Sequence, residues 1–219
     1  MLKEIVVISA VMLTVGGCAK EKPTTQAPAA KPAAATTGLA AALLSVPSGM
    51  KVTYGPEAGA FGSLKATQIG LEAMRQAHLD QPGCAGAGQL DATTPAVRDA
   101  PAAVIAFSSP SGSITEALVS LPESFPKAPG KKCASYSATV RGTKVLYKTK
   151  ELKLPKLGDQ SRAFLTTVSG GGGKMEIGSV AVRHGKTVMS ILAVGSQVKP
   201  QGLRDQSKLA FEKLAKTVK

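Results

Sequence analysis

Apolar residues at helical spacing predict helices in two stretches of this chain. Residues 64–79 mix large apolar side chains with alanines and polar residues and end before a Pro-Gly pair, which predicts a helix. Residues 203–218 place apolar side chains on one face and basic ones mostly elsewhere, as in an amphipathic helix. Leu39 and the leucines after it either begin a short helix or pack as an entry segment before Pro47.

Ser113 and Glu116 have the spacing of a capping box, in which the two side chains satisfy free N–H groups at the start of a helix. Apolar residues follow at once. We therefore expect a further helix that begins at Ser113 and ends at Pro122 or Pro126.

After Cys133 the sequence becomes alternating and β-branched, which is typical of strands. His184-Gly185 suits a hairpin turn, and the glycines at 170–173 suit a connection between two strands. The expected strands are 49–54, 102–107, 136–140, 144–154, 163–169, 177–182 and 187–194. Together the pattern predicts one α+β domain, an antiparallel β-sheet with helices packed on it.

Residues 19–37 contain no hydrophobic side chain larger than alanine, so this segment cannot bury a core. We expect a disordered tether at 18–38 and a folded extracytoplasmic domain at 39–219.

The hydrophobic run 5–15 is too short to span a bilayer and ends in Val-Gly-Gly-Cys. The motif resembles the lipobox of bacterial lipoproteins. This resemblance implies a signal peptide at 1–17, cleavage before Cys18, a diacylglycerol anchor on its thiol, and localisation at the extracytoplasmic face of the cell membrane. An ordinary cleaved signal peptide or a short anchor helix is the alternative.

The composition narrows the possible partners. Aromatic residues make up 4% of the chain and tryptophan is absent, which leaves little to stack on sugars or bases. The net charge of +13 favours anionic lipid, a phosphate-bearing envelope polymer or an acidic protein over nucleic acid for an exported protein. The same charge also serves solubility and adhesion to the membrane.

The basic residues are concentrated in 127–156, where one acid, Glu151, accompanies them. On an edge strand such lysines prevent sheets from pairing edge to edge, so two interpretations stay open. The candidate contacts for an anionic surface are Lys131, Lys132, Lys144, Lys148 and Lys150.

Lipidation of Cys18 leaves Cys84 and Cys133 to pair in an oxidising compartment. We interpret this pair as a structural disulfide, since a redox pair favours close Cys-x-x-Cys spacing. With only two histidines in the chain, we expect no metal site and no cofactor.

No motif predicts catalysis. The Ser-x-x-Lys tetrapeptides at 48–51 and 124–127 lack the Ser-Asp-Asn and Lys-Thr-Gly elements that accompany this motif in enzymes. Gly185-Lys186-Thr187 lacks the first glycine of a phosphate-binding loop, because Val180 stands there. We expect a protein that is not an enzyme, with an envelope hydrolase as a remote alternative.

Three elements occur in order: Pro-Gly-Cys-Ala-Gly-Ala at 82–87, then Cys133, then Leu-Gly-Asp-Gln-Ser at 157–161 before the strand at 178–183. In these the chain resembles actinobacterial, mycobacterial-type cell-envelope lipoproteins, which are similar to the extracellular sensor domain of receptor Ser/Thr kinases. The resemblance implies an antiparallel sheet with packed helices, a central cleft for a ligand, a disulfide and no enzymatic activity.

The leading hypothesis is a membrane-tethered lipoprotein with a non-catalytic, sensor-like domain that binds a ligand or partner. Asp159, Gln160 and Arg162 are the candidate ligand-binding residues, because they form a short polar cluster at the mouth of apolar strands; a strand-initiating turn is the other interpretation. A structural or adhesion lipoprotein that holds anionic polymer or lipid through its basic face is the alternative function.

Overall fold

A single nine-stranded antiparallel sheet organises the protein, for which a computed structural model describes residues 33–86 and 88–218. The spatial order of its strands is β1-β3-β4-β9-β8-β7-β6-β5-β2. The strands are β1 (Lys51–Ala60), β2 (Ala77–Leu79), β3 (Pro101–Ser109), β4 (Gly112–Ser120), β5 (Ser135–Val140), β6 (Thr143–Glu151), β7 (Gln160–Gly170), β8 (Gly173–His184) and β9 (Thr187–Gly195).

The helices are α1 (Ala33–Ala42), α2 (Lys65–Arg75), the single turn α3 (Pro95–Arg98) and α4 (Pro200–Thr217). This arrangement confirms the predicted α+β class. The signal peptide at 1–17, Cys18 and most of the predicted tether lie outside the described residues. None of the helices in the described ranges is long and apolar enough to cross a membrane.

One face of the sheet carries α1 and α4 and is called here the helical face. Apolar side chains at alternate positions of the central strands pack there against leucines of the two helices. Leu203, Ala210 and Leu214 of α4 are buried in this core, as the amphipathic pattern predicts. α4 packs on β8 and β9, two strands whose opposite face contributes to the site described below.

The other face is called the cleft face. The helix α2 crosses this face, since it joins β1 at one edge of the sheet to β2 at the other. It covers the face only in part. A second apolar cluster fills the β1 side of this face, where Phe61 and Leu64 pack on Val104, Val119 and neighbouring strand residues. Towards β5 and β6 the space between α2 and the sheet is open.

The helix predicted at Ser113 is wrong, because these residues form β4. Glu116 is not a capping residue: it pairs with Ile105 of β3 and Ile191 of β9, so its side chain lies on the helical face and is buried. The residues after it alternate between two covered faces, which gives a continuous apolar run in a central strand. Such a run does not distinguish a buried strand from a helix.

Several boundaries also differ from those expected, and two of them concern helices. The helix expected over 64–79 ends at Arg75, because residues 77–79 pair with β5. Asp80 reinforces that pairing, since its carboxylate accepts hydrogen bonds from the main-chain N–H and the hydroxyl of Ser137. At the other end of the domain, α1 begins at Ala33, inside the segment that we expected to be a tether, and Thr36 is buried.

Candidate ligand-binding cleft

A cleft of about 360 Å³ lies between the cleft face, α2 and the segment 85–92. Its size falls within the range of small-molecule sites. It is lined by Phe61, Ala66, Thr67, Gly70, Leu71, Ala73, Met74, Ala77, Leu79, Ala85, Gly86, Gln89, Leu90, Ala92, Val104, Thr115, Ala117, Tyr136, Tyr147, Thr166, Ile177, Ser179, Ser190 and Leu192.

The floor of the cleft is built from alternate residues of the central strands, so its side chains follow from the register of the sheet. Thr115 of β4 and Ser179 of β8 both pair with Leu192 of β9, which places the three side chains in one row. Ser190 lies two residues along β9, diagonal to both polar residues.

Three hydroxyl groups of this floor, those of Thr115, Ser179 and Ser190, make no hydrogen bond to another described residue. The hydroxyl of Thr166 differs, because it is 2.8 Å from the Thr149 hydroxyl and bonds to it. We call the first three the hydroxyl cluster. It leaves hydrogen-bonding capacity directed at the cleft in an otherwise largely apolar site.

The roof is α2, an amphipathic helix that packs loosely. Thr67, Leu71 and Met74 recur at helical spacing and line the cleft, yet they are only half-buried, and no residue of α2 is fully buried. In α4, by contrast, four side chains are fully buried. The apolar face of α2 therefore has unused contact area above the cleft.

A pair of aromatic rings lines the cleft on its β5–β6 side. Tyr136 of β5 and Tyr147 of β6 are cross-strand partners, and their rings stack with centroids 4.8 Å apart. Burial raises the pKa of Tyr136 to about 12, with a further contribution from Tyr147, and burial also raises the pKa of Tyr147. Both phenols are uncharged at neutral pH.

Next to these rings, Cys84 and Cys133 form a disulfide, with their Cα atoms 5.4 Å apart, which confirms the predicted pairing. Both cysteines are buried and pack with Tyr136. The bond ties the turn before Ala85 and Gly86, two residues that line the cleft, to the start of β5. It therefore fixes one wall of the cleft against the sheet.

Among the described residues, none that lines the cleft has a charged side chain. This is notable in a chain whose net charge is +13. In the described part of the protein, no three His, Cys, Asp or Glu residues lie close enough together to hold a metal ion.

The predicted polar cluster lies elsewhere, at the start of β7, and none of its members lines the cleft. Asp159 accepts a hydrogen bond of 2.8 Å from the main-chain N–H of Gly185, and so holds the β8–β9 turn. Gln160 is exposed. Arg162 lies over the ring of Phe125 and donates weakly to the Pro126 carbonyl, at 3.5 Å. Ligand binding by these three residues stays a prediction.

Arg183, which was not a candidate from the sequence, bonds to several main-chain carbonyls at this end of the sheet. Its guanidinium lies 5.7 Å from the centre of the Phe125 ring and donates to the carbonyls of Leu121, Pro122 and Ser124. Arg162 and Arg183 thus hold the connection between β4 and β5 in place. In the sequence, the role of Arg183 is indicated only by its position after a run of apolar strand residues.

The structure separates the candidate basic residues. Lys144, Lys148 and Lys150 alternate along β6 with residues of the cleft face, so the three share the opposite face and are exposed. Lys131 and Lys132 belong to a short turn of 3₁₀ helix beside the disulfide. β6 is paired on both sides, with β5 and β7, so its lysines do not protect a sheet edge as one interpretation required.

Comparison with known proteins shows a similarity of fold to solved structures and no match in sequence. No protein-family model and no curated protein matches this sequence. The extracellular domain of PknH from Mycobacterium tuberculosis is similar with a TM-score of 0.54 at 14% identity, over 83% of this chain and 96% of that chain. A putative uncharacterized protein from Mycobacterium smegmatis, an Rv0999 ortholog, gives a TM-score of 0.51 at 12% identity, over 77% and 90% of the two chains. The expected resemblance to the extracellular sensor domain of receptor kinases is thus confirmed at the level of fold.

Proposed function

We propose that this protein is a membrane-tethered, non-catalytic, sensor-like domain of the bacterial cell envelope that binds a small ligand in the cleft beneath α2. The observation that carries this proposal is the loose packing of α2: its apolar face lies over a cleft of about 360 Å³ instead of a filled core. Filling that space with a ligand completes the burial of apolar surface. The fold shared with an extracellular domain supports the location.

Gly70 provides a direct test, because a Cβ added at this cleft-lining residue of α2 meets no atom within 4 Å. Gly70→Leu places a larger side chain at the cleft, where its Cβ has room, and improves helix propensity. Gly38→Leu is the matched control, since Gly38 is an exposed glycine of α1, also with no atom within 4 Å, and it does not line the cleft.

The full chain and both variants are extracted from the native membrane, and retained molecules are identified by mass spectrometry under non-denaturing and denaturing conditions. The proposal predicts a molecule bound to the wild-type chain and to Gly38→Leu, and its absence from Gly70→Leu. Equal retention by all three chains, or retention by none, contradicts the proposal.

The tether is the second part of the proposal. The run 5–15 with Val-Gly-Gly-Cys supports cleavage before Cys18 and a diacylglycerol group on its sulfur. Intact mass of the membrane-extracted protein tests it: the mass should equal that of the chain from Cys18 plus acyl groups. A mass that retains Met1, or a processed chain without acyl groups, contradicts the anchor.

A basic surface supports adhesion as a second candidate function. The exposed lysines of β6 at 144, 148 and 150 lie on the face opposite to Tyr147 of the cleft. Contact of this surface with anionic lipid or envelope polymer does not compete with the cleft for space. Association with anionic vesicles should weaken as salt rises, and association that persists unchanged at high salt contradicts this function.

A further inference from the structure

We propose that the ligand of the cleft is a neutral amphiphile, with an apolar chain under α2 and an uncharged oxygen-bearing group, such as a hydroxyl or an ester carbonyl, at the hydroxyl cluster. This inference rests on the proposed function and adds the chemical class of the ligand. Its starting point is the absence of any charged side chain among the lining residues.

A charged ligand group in this cleft loses hydration without gaining a countercharge. Burial of an unpaired ion is strongly unfavourable, and sites for carboxylates or phosphates usually supply arginine, lysine or a helix N-terminus. The chain has 27 lysines and arginines, and none of those in the described ranges lines the cleft. The two tyrosines give no compensating charge either, because burial keeps both phenols protonated at neutral pH.

The polar part of the ligand is placed by the hydroxyl cluster. Thr115, Ser179 and Ser190 come from three neighbouring strands, so their positions are fixed by the sheet register. A hydroxyl both donates and accepts, which suits an alcohol or an ester carbonyl. A purely apolar ligand would leave these groups without partners after water is displaced, and that is unfavourable.

The apolar part of the ligand is placed by the roof and the aromatic pair. Leu71 and Met74 of α2 present half-buried apolar surface above the floor, and Ile177 and Leu192 face them from the sheet. Methionine adapts to chains of different shape, because its side chain is unbranched and polarizable. The stacked Tyr136 and Tyr147 line this space on its β5–β6 side.

Calorimetric titration of the full chain with three probes tests the proposal: a monoacylglycerol, the fatty acid of the same chain length, and glycerol. The lipid probes are kept below the concentration at which they form micelles. We expect the monoacylglycerol to bind at one site, the fatty acid to bind at least tenfold more weakly at neutral pH, and glycerol not to bind.

The variant Thr115→Val with Ser179→Ala removes two hydroxyls with little change in shape and should weaken monoacylglycerol binding about tenfold. Thr167→Val is the matched control, because Thr167 of β7 lies on the helical face and does not line the cleft. Thermal unfolding of each variant in the absence of probe shows that it is folded.

The outcomes separate this inference from the proposed function. Tighter binding of the fatty acid than of the monoacylglycerol, or binding that is unchanged in the hydroxyl variant, overturns the neutral amphiphile while a cleft ligand blocked by Gly70→Leu still stands. If no probe binds and the membrane-extracted chain retains nothing that Gly70→Leu excludes, both proposals fail. If no probe binds but a retained molecule proves to be charged, only the ligand class is wrong.

Discussion

A carboxylate oxygen of Glu116 accepts a hydrogen bond of 2.5 Å from the main-chain N–H of Leu44, and so ties the segment after α1 to the centre of the sheet. The other carboxylate oxygen is buried and has no partner in the described part of the chain. Burial raises the pKa of Glu116 to about 7, and the Leu44 N–H and Lys213 oppose this rise. Lys213 itself donates to the carbonyl of Leu43.

Stability should therefore increase on mild acidification. The pKa of Glu116 is about 7 in the folded protein and near 4.5 in the unfolded chain, so between these values the folded state binds the proton more tightly. Lowering the pH from about 8 to about 5 should raise the free energy of unfolding by up to about 3 kcal/mol. Urea unfolding at a series of pH values measures it.

Glu116→Gln separates this effect from other titrating groups. The amide cannot ionise and still offers an oxygen to the Leu44 N–H, so the variant should be more stable than wild type at pH 8 and should lack most of the rise on acidification. The assignment to Glu116 is wrong if the variant keeps the whole pH dependence.

Loss of the disulfide should destabilise the domain and widen the cleft. The bond closes a loop with a sequence separation of 49, for which chain entropy predicts a loss of about 4 kcal/mol in the double variant Cys84→Ser, Cys133→Ser. Cys18→Ser is the control, since it removes the proposed lipid site and leaves both domain cysteines. Denaturant unfolding should show the loss in the double variant alone; equal stability of the two variants contradicts the structural role.

Gly158 should be important for the stability of the folded domain. Gly158 has φ of +58°, and a Cβ there would lie 2.1 Å from the carbonyl oxygen of Arg183. Gly158→Ala should lower the free energy of unfolding by about 3 kcal/mol or more. Gly172→Ala is the matched control, because φ is +80° but no atom lies within 4 Å, so its loss should be about 1 kcal/mol. Equal losses in thermal unfolding would show that the close approach to Arg183 has no effect.

Replacing the β6 lysines at 144, 148 and 150 with glutamine should reduce association with anionic vesicles at low salt, by several-fold for each charge removed. Co-sedimentation of the full chain with vesicles of defined charge measures this. Lys199, Lys208 and Lys216, in or beside α4, provide a control triple replacement with the same change in net charge. Equal losses from both triple variants indicate net charge alone and contradict a β6 binding surface.

The sequence predicted most of the sheet because its outer strands alternate. In β6 exposed and half-buried residues alternate from Lys144 to Lys150, and the Gly185 and glycine-rich turns mark two hairpins. β4 was missed because both of its faces are covered, so its apolar run has no period of two. β2 was missed because it has only three residues, too few to show an alternating pattern, and it forms by pairing with β5.

The cleft residues were harder to predict, because they come from α2, two connections and most strands of the sheet, and only the sheet register brings them together. Single serines and threonines in strands, such as Ser179, do not differ in sequence from those that face solvent. The compact sequence cluster at 159–162 was more visible, and the structure gives Asp159 and Arg162 hydrogen bonds to main-chain groups instead.

The most direct test of ligand binding in the cleft is a crystal structure of the protein purified from its native membrane, without exchange into synthetic lipid. We expect continuous electron density for one molecule between α2 and the sheet, with an oxygen atom within hydrogen-bond distance of Thr115, Ser179 or Ser190 and its apolar part against Leu71 and Met74. A cleft that contains only ordered water, in a protein that binds no amphiphile in solution, contradicts the proposed ligand site.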